Sequence, residues 1–356
     1  MALSEPIRRL LADFEARRPA ALARAVSIVE NRRPGFDELL GALHPRLGRA
    51  RRIGLTGPPG AGKSTISAGL TSAYRAAGLS VGIVAVDPTS PFTGGALLGD
   101  RIRMESVALD RGVFIRSMAT RGSLGGLAAS TREVADVLDA YGFDRILIET
   151  VGVGQSELDI ARMADTSIVT LVPESGDSIQ TLKAGLMEIA DVFVINKADR
   201  PGADRLKHEV ELTLGLRMGH AFRNIPAHHG VELKTVNAAR MARVAAASDT
   251  DRWTPPVLPV VAVKGEGIPD LIGAVDRHFT YLERTGELRV RRRQRLRERV
   301  VEVVEDRVRA RLWHDDATNA WIDAKLPELE SGTLTPFAAA DALLAQSGDL
   351  LTRGRT

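Results

Sequence analysis

The chain has 356 residues, of which 44% are hydrophobic and 26% are charged, a balance typical of a soluble globular protein. It has no cysteine, which excludes disulfides and thiolate metal sites, and its net charge of +3 gives no general case for nucleic acid binding. No apolar stretch approaches the roughly 20 residues of a membrane span, and residues 1–18 lack the apolar core of a signal peptide, so we expect a cytoplasmic protein without membrane contact.

The spacing of apolar residues divides the chain into three regions. Residues 1–50 predict an N-terminal helical extension, with apolar residues at helical spacing such as Ile7, Leu10, Leu11 and Phe14. Residues 51–284 alternate short apolar strands with helical segments, which predicts an α/β domain with a mostly parallel central sheet flanked by helices. The predicted strands are 52–56, 81–86, 113–117, 145–150, 167–172, 191–196 and 257–263. Residues 285–356 predict a C-terminal helical region.

A glycine-rich turn follows the first predicted strand and precedes a helix predicted over residues 64–77. Such a turn exposes successive backbone N–H groups to one anion, and the helix N-terminus adds its positive dipole end. The lysine would supply a cation for the outer phosphates and the serine a hydroxyl for Mg²⁺. The sequence therefore predicts a phosphate-binding loop rather than a chance turn. Its residues are Gly57, Pro58, Pro59, Gly60, Ala61, Gly62, Lys63, Ser64 and Thr65.

Carboxylates at the ends of two later strands are candidate magnesium ligands. Asp87 ends the second predicted strand, where ligands bind in open α/β sheets, although a helix N-cap or turn role is equally open. The following loop, 87–103, has the length, glycines and charges of a nucleotide-sensing switch, and its Asp100 is a second metal candidate. Glu149 ends the strand 145–150, and Gly152 is placed to offer its N–H to the γ-phosphate.

The position that orients water in Ras-type enzymes is not a glutamine in this chain. Val153 follows Gly152 and cannot orient water, and Gln155 is a candidate for that role two residues later. We therefore expect slow intrinsic hydrolysis.

The tetrapeptide 196–199, Asn-Lys-Ala-Asp, follows an apolar strand and points to guanine. The Asp199 carboxylate can accept hydrogen bonds from guanine N1–H and its exocyclic amine, whereas adenine has an acceptor at N1. Alone the tetrapeptide is usually a solvated turn, but after a phosphate loop it favours GTP over ATP. A base-edge contact through backbone N–H groups is assigned to Ala262, Val263 and Lys264, and Asn196 and Lys197 complete the set.

Two further segments have more than one interpretation. Residues 211–252 form a long stretch containing His220, His228 and His229, which favour surface or packing roles over a zinc site. The charged segment 287–312 is interpreted as a solvated amphipathic helix, and no aromatic residues interleave with its arginines to stack single-stranded nucleic acid.

Taken together, these motifs resemble those of the MeaB/ArgK GTPases over nearly the whole chain, including residues 329–344. The resemblance implies a dimeric GTPase with bound GTP or GDP and Mg²⁺. It also implies that the protein assists an adenosylcobalamin-dependent acyl-CoA mutase of the methylmalonyl-CoA mutase type, gating cofactor loading and protecting the mutase. Nothing in the sequence indicates direct cobalamin binding.

The same resemblance assigns Lys63, Ser64, Asp87, Asp100 and Glu149 to phosphate and magnesium, and residues 173–183 to a third switch. That segment is also compatible with an ordinary strand-to-helix connection. A kinase acting on a transport protein and a metallochaperone GTPase are the alternatives, although no Cys or His metal-relay motif is evident. The C-terminal helices favour a homodimer, with a monomer in which they fold back on the nucleotide domain as the alternative.

Overall fold

The computed structural model describes residues 3–87, 104–119, 126–150, 159–173, 185–217 and 252–346. The chain forms two compact units, Met1–Leu288 and Arg289–Thr356. The strands of the first unit are β1 (Arg51–Thr56), β2 (Val81–Asp87), β3 (Val113–Ala119), β4 (Arg145–Glu149), β5 (Thr166–Leu171), β6 (Val192–Asn196) and β7 (Val257–Val260). Its helices are α1 (Glu5–Glu15), α2 (Pro19–Glu30), α3 (Phe36–Leu43), α4 (Lys63–Ala76), α5 (Glu105–Ala108), α6 (Gly126–Tyr141), α7 (Met187–Ile189), α8 (Ala203–Arg217) and α9 (Ile268–Thr285). Short 3₁₀ turns lie at His44–Arg46, Ile160–Arg162 and Ala262–Lys264.

The seven strands form one sheet in the order β3-β2-β4-β1-β5-β6-β7, and every ladder in it is parallel. The predicted α/β class with a parallel central sheet is therefore confirmed. The predicted strand 257–263 is too long, because β7 ends at Val260. A 3₁₀ turn follows, and Gly265 then takes a left-handed φ of 74°, which turns the chain so that Val261 pairs with Glu266.

Both faces of the sheet are covered, which explains why its strands read as apolar runs rather than alternating patterns. On one face, α1, α2, α3 and α6 enclose a cluster that includes Val84 and Ile148 of the sheet. On the other face, α4 and α9 pack over Leu55, Ile83 and Val194. The N-terminal helices are thus part of the hydrophobic core of the first unit, and their buried residues include the four predicted from periodicity.

The second unit contains most of α10 (Glu287–Trp313), with α11 (Asp316–Glu330) and α12 (Pro336–Gln346). The α11 helix begins at an Asp315 cap, whose carboxylate accepts the Thr318 backbone N–H at 3.0 Å. The α10 helix exposes several apolar side chains, and those of Val290, Val300 and Val304 are each more than half exposed.

No helix in the described residues has the length and apolar character needed to cross a membrane.

Candidate functional site

The predicted phosphate-binding loop lies where strand β1 ends and helix α4 begins. Gly57 has a φ of 131°, and a Cβ atom there would lie 2.0 Å from the backbone oxygen of Thr170. Gly62 has a φ of 86°, and its Cβ would lie 2.2 Å from the Asn196 side-chain nitrogen. Both glycines are therefore required by backbone geometry and by close contact, which keeps the loop tight against β5 and β6.

The Lys63 side chain folds back over this loop. Its Nζ donates to the backbone oxygens of Gly57 at 2.9 Å and Pro58 at 3.1 Å, and the residue is buried. The loop therefore curves around an ammonium group at the N-terminus of α4, where a cation and a helix dipole attract the same anion.

Ser64 and Glu149 meet at the carboxyl ends of β1 and β4. The Ser64 hydroxyl donates to Glu149 Oε1 at 2.6 Å, and both residues are buried. A hydroxyl and a carboxylate are hard oxygen ligands of the kind that Mg²⁺ prefers. The donor set at this point therefore fits the magnesium ion that the motifs predict.

Asn196 joins three separate segments. Its Nδ2 donates to the Ala61 backbone oxygen at 2.8 Å, and its Oδ1 accepts the Ala262 N–H at 3.2 Å. The side chain is buried. Asn196 therefore joins the phosphate-binding loop to the turn at Ala262. The Ala262 N–H, which the sequence predicts to face the base, donates to Asn196 in this structure.

Asp199 and Lys264 form an ion pair beside this junction. Lys264 Nζ lies 3.1 Å from Asp199 Oδ2, and both side chains are about half exposed at 53% and 42%. The hydrogen bond and charge of Asp199, with help from Glu266, raise the pKa of Lys264 above its ordinary value. The preceding Lys197 takes a left-handed φ of 56°, and Val263 is 82% exposed. The Asp199 carboxylate therefore pairs with a cation and is partly open to solvent.

Several predicted site residues lie outside the described residues. These are the switch loop after Asp87 with its Asp100, Gly152, Gln155, the switch segment after Pro173, and the histidines at 220, 228 and 229. Val153, which occupies the position of the Ras-type glutamine, also lies outside them. The backbone of Asp87 ends β2, at the same edge of the sheet as Glu149. Among the described residues, no group of three or more His, Cys, Asp or Glu side chains is arranged to hold a metal ion.

Sequence reasoning missed the threonines that support the loop. Thr150 donates to the Thr56 hydroxyl at 3.0 Å, which ties the end of β4 to the end of β1. The backbone of Thr170 contacts Gly57. A threonine within one residue of the end of a strand was the available signal, since Thr56 ends β1, Thr150 follows β4 and Thr170 precedes the last residue of β5.

Comparison with known proteins adds an independent observation. A family model described as methylmalonyl Co-A mutase-associated GTPase MeaB matches residues 22–317. A putative GTPase of Pyrococcus abyssi is 44% identical over 329 residues, which cover 92% of each chain. The GTPase ArgK of Escherichia coli is 35% identical over 339 residues, covering 94% of this chain and 93% of that protein. A solved structure described as a LAO/AO transport system kinase is 28% identical with a TM-score of 0.66, covering 97% of this chain and 99% of that one.

Proposed function

This chain belongs to the MeaB family of methylmalonyl Co-A mutase-associated GTPases, and on that premise we propose that it is a GTP-driven chaperone of an adenosylcobalamin-dependent acyl-CoA mutase. It gates cofactor loading and protects the mutase. The observation that carries the proposal is the convergence of the loop 57–65, the Ser64–Glu149 pair and the Asn196–Asp199 segment at one edge of the sheet. The family description supplies the partner.

The bound nucleotide is GTP or GDP, with its phosphates against residues 57–65. Asp199 accepts hydrogen bonds from the guanine edge, and Lys264 pairs with that carboxylate at 3.1 Å. Lys197, Val263 and Lys264 line the base, while Asn196 and Ala262 hold the loops in place.

In hydrolysis, Lys63 exchanges its two backbone carbonyl partners for oxygens of the β- and γ-phosphates. Ser64 and Glu149, with Asp87 and Asp100, would hold Mg²⁺, and the ion would supply positive charge to offset the charge that develops on the transferring phosphoryl group. A water oxygen bonds to the γ-phosphorus as the bond to the β–γ bridging oxygen breaks, giving GDP and phosphate. Gly152 donates its N–H to the γ-phosphate, and Gln155 is the candidate residue for orienting the water.

The mutase senses which nucleotide is bound. The switch segments 87–103 and 173–183 follow strands that end at the nucleotide site, so they are the surfaces expected to differ between GTP and GDP forms. Only a differential contact with the two forms can shift the equilibrium of a partner. Because Val153 cannot orient water, turnover is slow until the partner completes the site.

The second unit provides a homodimer contact. Exposed apolar side chains on α10 and α12, such as Val300, Val304 and Phe337, are the type of surface that a second copy would cover. Light scattering of the full chain, compared with a chain truncated after residue 285, tests this contact. A full-length monomer at micromolar concentration would contradict the dimer.

The functional test is phosphate release from GTP and from ATP, with and without a purified methylmalonyl-CoA mutase from the same organism. We expect slow turnover of GTP alone, faster turnover with the mutase and none with ATP, and Lys63→Ala should abolish both GTP rates. A rate indifferent to the mutase would contradict the chaperone role. Transfer of the γ-phosphate to a transport protein would instead support the kinase alternative, which the name of the solved relative suggests.

A further inference from the structure

A second cleft lies in the first unit, near the opposite end of strand β1 from the phosphate-binding loop. It has a volume of about 240 Å³, and its lining residues are Phe14, Glu15, Arg17, Arg46, Arg49, Ala140 and Tyr141. This is below the roughly 300–1,000 Å³ of pockets for drug-sized ligands, so it suits a smaller molecule. The six residues of β1 separate the two sites by about 20 Å.

The loop that carries Arg46 and Arg49 is held rigidly. The buried Asp139 carboxylate accepts three successive backbone N–H groups, from Gly48 at 2.9 Å, Arg49 at 3.1 Å and Ala50 at 3.0 Å. Arg52 completes the arrangement with a bond to Asp139 Oδ2 at 2.9 Å. A wall fixed in this way loses little entropy when a ligand binds.

Arg17 is placed on the facing wall by an unusual backbone. Its φ is 58°, a left-handed conformation that a residue other than glycine rarely adopts. The guanidinium lies 5.1 Å from the centre of the Tyr141 ring. Gly142 leaves room for it, since a Cβ there would lie 2.5 Å from Arg17 Nη2. The left-handed backbone of Arg17, its contact with the Tyr141 ring and the space left by Gly142 together place the guanidinium at the cleft.

The charges in the cleft do not balance. Among the described residues that line it, Glu15 is the single carboxylate, and it pairs with Arg46. Within the described residues, neither Arg17 nor Arg49 forms an ion pair. Two guanidinium groups without a carboxylate partner among the described residues therefore line the cleft beside the Tyr141 ring, which packs edge to face with Phe14 at 5.0 Å.

From this geometry we infer that the cleft binds the phosphate group of a small organic molecule, at a site separate from the nucleotide site. Guanidinium groups match the geometry of phosphate oxygens and bond them in pairs. Arg17 and Arg49 hold the phosphate dianion, and the half-buried side chains of Ala140 and Tyr141 contact the apolar part of the ligand. Glu15 competes for Arg46 and opposes the anion.

The test uses full-length protein saturated with GDP and Mg²⁺, so that the phosphate-binding loop is filled. Inorganic phosphate and phenyl phosphate are titrated by calorimetry at fixed ionic strength, with chloride as the reference anion. We expect one saturable site per chain, with phenyl phosphate binding more tightly because its ring adds apolar contact with Ala140 and Tyr141. Arg17→Gln and Arg49→Gln should each raise the dissociation constant about tenfold or more, the scale of a lost charged hydrogen bond.

Two further variants make the result specific. Glu15→Gln removes the opposing charge and releases Arg46, so it should tighten phosphate binding several-fold. Arg18→Gln is the matched control, because Arg18 adjoins Arg17 in sequence but pairs with Asp13 at 2.8 Å and does not line the cleft. It should leave affinity unchanged.

Three results would overturn the inference. The first is the absence of saturable phosphate binding in the wild-type protein. The second is an unchanged dissociation constant in Arg17→Gln. The third is binding that Lys63→Ala removes and the arginine variants retain, since the phosphate would then occupy the nucleotide site. If the cleft binds an acidic peptide but neither inorganic phosphate nor phenyl phosphate, the first of these results holds and the cleft is a site for a protein partner.

Discussion

Replacing Asn196 by alanine tests whether this side chain assembles the nucleotide site. The change leaves the Ala61 carbonyl and the Ala262 N–H without the bonds that Asn196 makes at 2.8 and 3.2 Å. An unsatisfied buried group costs about 1–3 kcal/mol, so the free energy of unfolding of the nucleotide-free protein should fall by about 2–4 kcal/mol.

The same variant should bind GDP about ten- to a hundredfold more weakly. GDP binding would then have to order the loops at Ala61 and Ala262. Each 1.4 kcal/mol of free energy that this ordering costs weakens GDP binding tenfold. Urea unfolding without nucleotide and calorimetric titration with GDP and Mg²⁺ measure the two effects.

Asp199→Ala is the matched control for this experiment. Asp199 is 42% exposed and its ion-pair partner Lys264 is 53% exposed, so its loss should change the free energy of unfolding by no more than about 0.5 kcal/mol while affecting guanine binding. If Asn196→Ala unfolds like the wild-type protein and binds GDP equally well, Asn196 does not position the site.

Three other changes have definite expected outcomes. Gly57→Ala should abolish GDP binding because its Cβ would lie 2.0 Å from the Thr170 backbone oxygen. Gly60→Ala is the control, since its Cβ would meet no other atom and its left-handed φ of 73° costs only about 1–2 kcal/mol. Equal GDP affinities of the two variants would refute this expectation. Glu149→Gln should raise the Mg²⁺ concentration for half-maximal GTP turnover about 10–100-fold, and an unshifted magnesium titration would exclude the carboxylate as a ligand. Burial raises the pKa of Tyr74 from 10.0 to about 12. The contribution of this residue to the free energy of unfolding is therefore fully present below pH 10 and is lost as the pH rises to 12. In Tyr74→Phe, the free energy of unfolding should therefore fall less between pH 10 and pH 12 than in the wild-type protein. The same fall in both proteins would contradict the raised pKa of Tyr74.

The succession of strands along the chain was predictable because most of them are buried apolar runs, and β1, β4 and β6 end at recognisable motifs. The runs before Gly57 and Asn196 became β1 and β6 with boundaries within one residue of those predicted. The early end of β7 was not predictable from apolar content, since Val261 and Val263 continue the pattern. The turn depends instead on the left-handed Gly265 and a bridge to Glu266.

The contacts that assemble the site could not be deduced from local sequence. Asn196 reaches residues 135 and 66 positions away along the chain, and such pairings depend on how the parallel strands are ordered in the sheet. The motif predicts that Asn196 belongs to the nucleotide site, but the hydrogen bonds by which it joins two loops are visible only in the folded arrangement. The packing of the N-terminal helices against α6 is likewise a long-range contact that periodicity does not specify.

The central claim, a guanine-selective nucleotide site read by Asp199, is tested most directly by titrating GDP and ADP, each with Mg²⁺, into the wild-type protein and Asp199→Ala. We expect the wild-type protein to prefer GDP about a thousandfold or more, because ADP leaves the carboxylate without its paired donors, and we expect this preference to collapse in the variant. Comparable wild-type affinities for GDP and ADP, or a preference that survives in Asp199→Ala, would contradict the claim.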